Sequence, residues 1–585
     1  MQIDAAFHAF FEDRRAPQGQ PAAWRFEEPV DCLPVTDADS LARALAAIAA
    51  DQLWCVAALD FELGYLLEPA AAPAGRVPPA GRPLARFWRF RRRIAMDAAA
   101  AEAWLATQGA GEPAGIGGLS ATVDEKRHAA AVDRIRDYIS DGDCYQVNFT
   151  FPLVFSWFGP PVAIYSRLRA AQPVRYGGFV ATAGGGVVSL SPELFLEKTG
   201  ARLVTRPMKG TLARDEPAAR LRESPKDRAE NLMIVDLLRN DLGRVATSGS
   251  VRVDRLFDIE DYPTVWQMVS EISACVPDAT LATILPALFP CGSITGAPKI
   301  RAMQIIVELE QAPRGLYTGA FGWVAPDGDF RLNVAIRTLE LAPDRTGRLG
   351  IGSGIVADST AAAEWRECQL KADFLRAGDP GVRLIETLRR EAGKCPRLNG
   401  HLERLRRSAA WFGFAFDETA LRQRLDGLPA SGTWRVRLTL DKAGAIEVQA
   451  FPLADEAAGP RLARLAVETI DSRDPLRRHK TTARPLYDAA LRGLDADSPV
   501  FDVVFLNERG EVAEGARSNV FVERGGQLLT PPLESGALPG VLRAELLASG
   551  RAREAVLRPA DLEQGFLLGN ALRGLIAVRL AAPAP

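Results

Sequence analysis

The sequence predicts an α+β domain followed by a smaller domain that also mixes strands and helices. The chain has 585 residues, which allows two large units or several units of about 150 residues each. Candidate strands and helices in the first part do not alternate in a regular βαβ order. A polar segment at 376–381 separates a helical pattern from a new strand at 382–388. We therefore expect domains at residues 1–376 and 383–585, joined by a linker at 377–382.

The amino-acid composition limits the classes of protein to which the chain can belong. Hydrophobic residues make up 47% of the chain and charged residues 25%, as in ordinary globular proteins. The net charge of −2 supplies no field for nucleic acid or an anionic membrane, so neither is expected as a partner. The seven cysteines are scattered without a CxxC motif, and the start has no basic, apolar leader. These features predict a reduced, cytoplasmic protein without structural zinc.

One long helix in the first part has clear end signals. Ser224 can cap it, Pro225 suits its first turn and Gly243 stops it, which predicts a helix over 224–242. Its centre is apolar nearly all round and is therefore predicted to be buried. Other elements predicted in this part are strands at 187–190 and 202–205 and a helix at 361–375.

Several carboxylates in this part could hold a metal ion. Glu230 lies one turn into the apolar helix, so its charge needs a partner. Glu364, Glu367 and Lys371 have spacings of three and four, which place them on one helix face. A solvated ion-pair face is the alternative for these three. Residues 129–400 contain no histidine, which favours Mg²⁺ on oxygen ligands over zinc.

Lys209 precedes Gly210-Thr211, a predicted tight turn. A lone lysine is usually solvated. In a closed site, however, loss of water would lower the pKa of its amine, which could then act as a nucleophile.

These segments resemble the chorismate-utilising enzymes, the family of anthranilate, aminodeoxychorismate, isochorismate and salicylate synthases. The resemblance covers residues from about 120 to 375 and is weaker before them. It implies a β-sandwich core flanked by helices, Mg²⁺ as cofactor and chorismate as substrate. The matching segments are 191–195, 207–211, 229–245, 292–299, 336–338 and 352–359.

The resemblance also implies roles for individual residues. Glu230 and Glu367 would hold Mg²⁺, and Glu364 would assist through water. The residues it implies for substrate binding are Arg337, Tyr317, Ser293, Thr211, Gly354 and Lys371.

Two positions indicate which reaction is catalysed. Aminodeoxychorismate synthases carry a lysine at the position of Lys209, whose amine attacks C2 of chorismate before ammonia attacks C4. Gln146 stands where water-using members carry a lysine, which suggests ammonia as the nucleophile. Gln267 replaces a family histidine, so Glu193 or water would protonate the departing hydroxyl. The sequence lacks a glutaminase motif, which predicts a separate glutamine amidotransferase subunit as partner.

A second constellation lies near the C-terminus. Lys480 is followed by Glu514 and by Pro539-Gly540, which opens a predicted helix at 541–547. Each alone is unremarkable. Together they supply what pyridoxal phosphate requires: a Schiff-base lysine, an acid for the ring nitrogen and a helix N-terminus for the phosphate.

Residues 383–580 resemble the fold-type IV pyridoxal-phosphate enzymes, an α/β fold that includes aminodeoxychorismate lyase. The usual opening segment of that family is absent before Ile385, and the resemblance allows a homodimer through this domain. The cofactor-binding residues that it implies are Lys480, Glu514, Arg404, Asn519, Val541, Leu542 and Asn570.

The two resemblances together imply consecutive reactions of the folate pathway. Chorismate and ammonia would give 4-amino-4-deoxychorismate, from which pyruvate would be eliminated to leave 4-aminobenzoate. One alternative is an anthranilate- or salicylate-type synthase fused to a D- or branched-chain amino acid aminotransferase. The other is a catalytically inactive scaffold for a glutamine amidotransferase.

Overall fold

The computed structural model describes residues 7–72, 83–182, 184–262, 265–453, 461–494 and 498–581, which form two compact units. Over these residues, no helix is both long and apolar enough to cross a membrane. The first unit comprises Met1–Ala114, Leu119–Phe155 and Gly159–Gly378. The second comprises Gly115–Gly118, Ser156–Phe158 and Asp379–Pro585.

Strands dominate the part of the chain before residue 378. The strands are β1 (His8–Glu12), β2 (Ala23–Val35), β3 (Trp54–Leu59), β4 (Ala85–Met96), β5 (Gly115–Ala121), β6 (Gln146–Phe158), β7 (Tyr176–Thr182), β8 (Gly185–Ser191), β9 (Leu194–Thr199), β10 (Arg202–Arg206), β11 (Met208–Ala213), β12 (Arg252–Asp261), β13 (Val265–Cys275), β14 (Gly296–Ala297), β15 (Ala320–Val324), β16 (Phe330–Val334), β17 (Thr338–Leu341) and β18 (Thr346–Ile355). The helices are α1 (Ala38–Ala50), α2 (Leu63–Leu67), α3 (Ala98–Thr107), α4 (Glu125–Ser140), α5 (Pro161–Ala171), α6 (Ala218–Glu223), α7 (Pro225–Gly243), α8 (Leu281–Leu288), α9 (Lys299–Leu309), α10 (Ala361–Ala372) and α11 (Phe374–Ala377).

The strands of the first unit pair into one long ribbon of sheet around an aromatic core. Phe11, Phe26, Phe90 and Phe321 belong to this core and are almost fully shielded from water. Neighbouring strands follow the order β13, β10, β9, β16, β15, β3, β4, β2, β1, β7, β8, β17, β18 and β6.

The capped helix predicted at 224–242 is α7, and the hydroxyl of Ser224 accepts a hydrogen bond from the N–H of Asp227. The prediction that its centre is buried all round is wrong. Leu232 is 51% exposed, whereas Ile234 and Leu238 are buried. The reason is that α7 packs one face on β11 and β13 and leaves the opposite face in water.

The prediction of a tight turn at Gly210 is also wrong, because the segment continues as strand β11. The pairing register between β11 and β13 shifts between Met208 and Thr211, and Gly210 has φ +90°. Such a bulge changes the direction in which a neighbouring side chain points. Beyond the bulge, the amide of Gln267 on β13 donates to the hydroxyl of Thr211.

The other elements predicted for the first part are present. The strand predictions fall within β8 and β10, and the helix predicted at 361–375 is divided into α10 and α11 at Asp373.

The described residues of the second unit form two sheets. Its further strands are β19 (Leu384–Glu391), β20 (Thr433–Leu440), β21 (Ile446–Pro452), β22 (Arg461–Leu465), β23 (Val500–Leu506), β24 (Val512–Gly515), β25 (Asn519–Arg524), β26 (Gln527–Thr530), β27 (Ala552–Glu554), β28 (Phe566–Asn570) and β29 (Gly574–Leu580). Its helices are α12 (Leu398–Phe412), α13 (Glu418–Asp426), α14 (Pro485–Arg492) and α15 (Val541–Ala548). Strands β19 to β21 form an antiparallel sheet. The second sheet has the order β24, β23, β22, β29, β28, β25, β26 and β27.

Candidate active sites

Lys209, Gln146 and Gly354 meet in the first unit. A Cβ atom on Gly354 would lie 2.2 Å from Nε2 of Gln146 and 3.6 Å from Nζ of Lys209. Glycine at this position therefore leaves room for both side chains. Gln146 is 2% exposed, and its Oε1 has no hydrogen-bond partner among the described residues. The site thus holds an amine and, near it, a buried amide whose carbonyl oxygen can still accept a hydrogen bond.

The pKa of Lys209 is lowered. Burial is the largest cause, because it disfavours the charged ammonium, and the charge of Lys371 acts in the same direction. The carboxylates of Glu193, Glu230 and Glu367 oppose this shift without cancelling it. At a given pH, a larger fraction of this amine is therefore in the uncharged, nucleophilic form than for a lysine in water.

Glu193 is the acid beside this amine. It is 4% exposed and accepts a 2.7 Å hydrogen bond from the hydroxyl of Ser293. Burial raises the pKa of Glu193 to about 7, although the Ser293 hydrogen bond and the charge of Lys209 act to lower it. A carboxyl with this pKa can donate or accept a proton near neutral pH.

The predicted metal-binding carboxylates lie on α7 and α10. Burial raises the pKa of Glu230, and the charge of Glu367 contributes to this shift. Burial alone would also raise the pKa of Glu367, but Lys371, with Nζ 2.7 Å from Oε1, lowers it. Glu364 accepts a 2.7 Å hydrogen bond from Ser359.

The donor set fits magnesium better than a metal that needs a full protein cage. Among the described residues, no three His, Cys, Asp or Glu side chains gather as a metal site. Magnesium is usually held by one or two carboxylates, with water and substrate oxygens completing its shell. Glu230 and Glu367 supply two such carboxylates, one raising the pKa of the other.

Lys226 is a charged residue of this region that the sequence analysis missed. Its ammonium lies 3.3 Å from Asp358. Burial acts to lower the pKa of Lys226, but the charge and hydrogen bond of Asp358, helped by the charges of Glu230 and Glu364, raise it. Lys226 precedes Glu230 by four residues, which places them on the same face of α7. That spacing is the signal that could have found it.

Two of the predicted substrate-binding residues have their observed contacts elsewhere. The ring of Tyr317 lies against Gly350, where a Cβ would be 2.0 Å from the ring, and lines a separate cavity with Arg314. Arg337 donates a 2.8 Å hydrogen bond to Gln172.

A cavity of about 250 Å³ lies in the second unit. Its lining brings together all the residues that the fold-type IV resemblance implies for the cofactor. These are Lys480, Glu514, Arg404, Asn519, Val541, Leu542 and Asn570.

Lys480 and Glu514 are a buried amine and a buried acid of this cavity. Burial lowers the pKa of Lys480 to about 8, and Arg404 contributes to the shift. Burial raises the pKa of Glu514, which accepts hydrogen bonds of 2.6 Å from the hydroxyl of Tyr487 and 2.9 Å from the N–H of Leu538. Tyr487 was not identified from the sequence, because one tyrosine in a short helix gives no pattern.

Arg404 is held by a buried carboxylate that the sequence analysis also missed. Glu386 accepts from Nε and Nη2 of Arg404 at 2.8 and 2.5 Å, and Nδ1 of His401 lies 2.7 Å from it. Burial would raise the pKa of Glu386, but Arg404 and His401 lower it to about 2. The guanidinium of Arg404 is thereby fixed at the wall of the cavity.

Asn519 and Asn570, two further residues of the cavity lining, lie close to the backbone. A Cβ on Gly540 would lie 2.0 Å from Oδ1 of Asn519, so glycine is required where α15 begins. Oδ1 of Asn570 accepts from the N–H groups of Leu572 and Arg573, at 3.1 and 2.9 Å. A helix N-terminus, a fixed arginine and an amine with a lowered pKa facing a buried acid together fit pyridoxal phosphate.

Comparison with known proteins identifies the class. Residues 26–377 match the family model described as chorismate binding enzyme, so the chain belongs to that family. Residues 383–581 match the model for amino-transferase class IV. The predicted fold class, a chorismate-utilising domain followed by a fold-type IV domain, is confirmed.

The matching relatives are named for more than one reaction. The chain is 44% identical over 244 residues, 40% of its length, to aminodeoxychorismate synthase component 1 from Salmonella typhimurium. It is 40% identical over 262 residues, 43% of its length, to anthranilate synthase component 1 from Streptomyces coelicolor. These matches span only 53% and 51% of the two relatives.

A solved structure shares the fold of the first unit. The crystal structure of anthranilate synthase component I from Streptococcus pneumoniae aligns with a TM-score of 0.53 and 24% identity. The alignment covers 64% of this chain and 93% of that one.

Proposed function

We propose that the chain converts chorismate and ammonia into 4-amino-4-deoxychorismate and then eliminates pyruvate to form 4-aminobenzoate. The observation that carries the proposal is the placement of Lys209. Its amine has a lowered pKa, as a nucleophile requires. It lies near Gln146, which would accept a hydrogen bond from ammonia, and near Glu193, which would act as the acid.

In the first step, the neutral amine of Lys209 forms a bond to C2 of the ring. The C1–C2 double bond moves to C1–C6 and the C5–C6 double bond moves to C4–C5, so that the C4–O bond breaks. Glu193 gives its proton to the departing hydroxyl, which leaves as water, and the lysine nitrogen carries a positive charge. Ammonia, held by Oε1 of Gln146, then forms a bond to C4. Both double bonds shift back and the C2–N bond breaks, which releases the neutral amine of Lys209, and Glu193 regains its proton from the new ammonium group at C4.

Magnesium would be held by Glu230 and Glu367, and when bound it supplies positive charge for the ring carboxylate of the substrate. Glu364 would act through a water molecule. Lys371 neutralises Glu367 in the structure, so we propose that it moves to a substrate carboxylate when the ion binds.

Pyridoxal phosphate, when bound in the second unit, supplies an electron sink. Arg404 and the N–H groups of Val541 and Leu542 would hold its phosphate, and Glu514 its ring nitrogen. Lys480 would remove the proton from ring C4 of the substrate. Loss of pyruvate makes the ring aromatic, which provides the driving force.

The proposal extends to ammonia supply and organisation. A separate glutamine amidotransferase subunit would deliver ammonia to Gln146 in a cytoplasmic enzyme. The two catalytic domains would be residues 1–376 and 383–585, and the second would form the homodimer contacts. Ser293 and Thr211 are proposed to contact chorismate, whereas Tyr317 and Arg337 have their contacts elsewhere.

The test replaces the nucleophile. Lys209→Ala should abolish amination at C4 when the protein is supplied with chorismate, Mg²⁺ and ammonium. Lys126→Ala, which removes an exposed lysine of α4, is the matched control and should equal the wild type. Unchanged turnover of chorismate to 4-amino-4-deoxychorismate by Lys209→Ala would refute the covalent route.

A further inference from the structure

The cavity that contains the ring of Tyr317 lies in the first unit and has a volume of about 150 Å³. Pockets for drug-sized ligands begin at about 300 Å³, so this cavity suits a molecule built on a single small ring. Its wall is largely apolar and includes Val123, Phe151, Leu309 and Pro313. An apolar wall that contains an aromatic ring favours a flat, apolar ligand body.

One ion pair of the lining is satisfied within the protein. Nη2 of Arg314 lies 2.7 Å from Glu310, and the two side chains are 2% and 5% exposed. All five N–H groups of Arg314 donate to protein oxygens, two of them to Glu310. The N–H and the hydroxyl of Thr150 donate to the same carboxylate. This pair therefore shapes the cavity and leaves no charge for a ligand.

The two other arginines of the lining differ in their partners. The guanidinium of Arg348 lies 2.7 Å from Glu340 and also donates to the backbone carbonyl of Arg314. The guanidinium of Arg127 has no hydrogen bond and no ion pair within the part of the chain that the structure describes. The carboxylate of Asp124 accepts from the backbone N–H of Arg127 instead, as the cap of α4. Arg127 therefore gives the cavity a positive charge that is not paired.

The strands that line the cavity also carry the amination site. Thr150 follows Gln146 by four residues on β6, and Gly350 precedes Gly354 by four residues on β18. Four residues of a strand span about 13 Å. Because β6 and β18 are paired, a ligand that alters their spacing at the cavity also alters the spacing of Gln146 and Gly354.

We propose that this cavity is an effector site for a small aromatic monocarboxylate, which lowers the rate of amination. The ring of the ligand would lie on the apolar wall, and its carboxylate would accept two hydrogen bonds from the planar guanidinium of Arg127. The inhibition rests on the proposed function, whose final product, 4-aminobenzoate, belongs to this class of ligand. The binding itself does not depend on that function.

Binding is tested with 4-fluorobenzoate, which is titrated into the pyridoxal-phosphate-loaded full chain and followed by fluorine NMR. Magnesium is left out, so that no metal ion holds the probe at the amination site. Arg127→Gln should weaken binding about tenfold, as expected for one lost charged hydrogen-bonding group. Ala312→Trp, which places a large side chain in the lining, should weaken it as well. Lys126→Gln is the matched control, because Lys126 is exposed, adjacent to Arg127 and outside the lining, and it should bind the probe as the wild type does.

Inhibition is measured in the amination of chorismate with Mg²⁺ and ammonium. The probe should lower kcat of the wild type and of Lys126→Gln, whereas kcat of Arg127→Gln should stay nearly unchanged. Competition with chorismate at its own site would raise KM alone, and equally in all three proteins.

Equal affinities of the wild type and Arg127→Gln for the probe would overturn the site, as would an equal loss of affinity in Lys126→Gln. An equal fall of kcat in the wild type and Arg127→Gln would overturn the effector role, and so would a change in KM alone. If binding depends on Arg127 but the wild type does not aminate chorismate, the binding site is supported and the proposed function fails.

Discussion

The hydroxyl of Ser293 donates a 2.7 Å hydrogen bond to Glu193, a carboxyl whose pKa burial raises to about 7. A raised carboxyl pKa means that the folded state prefers the protonated form. The resulting stability is present below the ordinary carboxyl pKa and is lost as the pH rises through about 7. The protonated form is also the one that can donate to a leaving hydroxyl.

Amination should therefore decline as the pH rises through about 7, because Glu193 loses its proton. Glu193→Gln should reduce kcat by a factor of about 10² to 10⁴, the usual contribution of a general acid, and should remove this alkaline limb. The measurement is the pH profile of chorismate amination with ammonium as the nitrogen source. An unchanged alkaline limb in the variant would assign it to another group.

Gly354→Ala should disturb Gln146. The added Cβ would lie 2.2 Å from its Nε2, so the amide must move. A displacement of about 1 Å can cost about 10²-fold in rate, so we expect a loss of that order in amination. Gly243→Ala has open space around its Cβ and should behave as the wild type in the same assay. Equal rates for the two variants would show that the close approach at Gly354 has no catalytic importance.

Lys480→Ala should separate the two reactions. The second site loses its base, whereas the first keeps Lys209 and its neighbours. Chromatography of the products should reveal 4-amino-4-deoxychorismate accumulating in place of 4-aminobenzoate. If the variant forms 4-aminobenzoate as fast as the wild type, with the spontaneous breakdown subtracted, Lys480 is not the base.

Glu386→Gln should destabilise the protein at neutral pH. The carboxylate is ionised there because its pKa is about 2, and its stabilisation of Arg404 would be lost only as the pH falls below the ordinary carboxyl range. Removing one partner of a buried ion pair costs about 3–5 kcal/mol. Pyridoxal phosphate should restore part of the lost Tm, because its phosphate would neutralise Arg404. An identical drop in Tm with and without the cofactor would show that Arg404 does not bind the phosphate.

The sequence was most informative where chemistry requires particular residue types in a fixed order. Lys480, Arg404 and Glu514 are far apart in the chain, and the structure places all three at one cavity. Lys209 and Gln146 are likewise brought together around Gly354. The roles of these residues stay predictions until they are tested.

Features created by pairing could not be predicted in this way. The bulge at Gly210 depends on the register between β11 and β13, and the exposure of Leu232 depends on which side of α7 meets the sheet. Glu386 gains its function only where β19 meets α12, so its place in a strand gave no sign of Arg404. Local patterns do not contain these long-range contacts.

The most direct test of the account is product identification from the purified full chain with chorismate, Mg²⁺, ammonium and pyridoxal phosphate. Attack by Lys209 at C2 directs ammonia to C4, so the account predicts 4-aminobenzoate. Formation of 2-aminobenzoate or salicylate instead would contradict it.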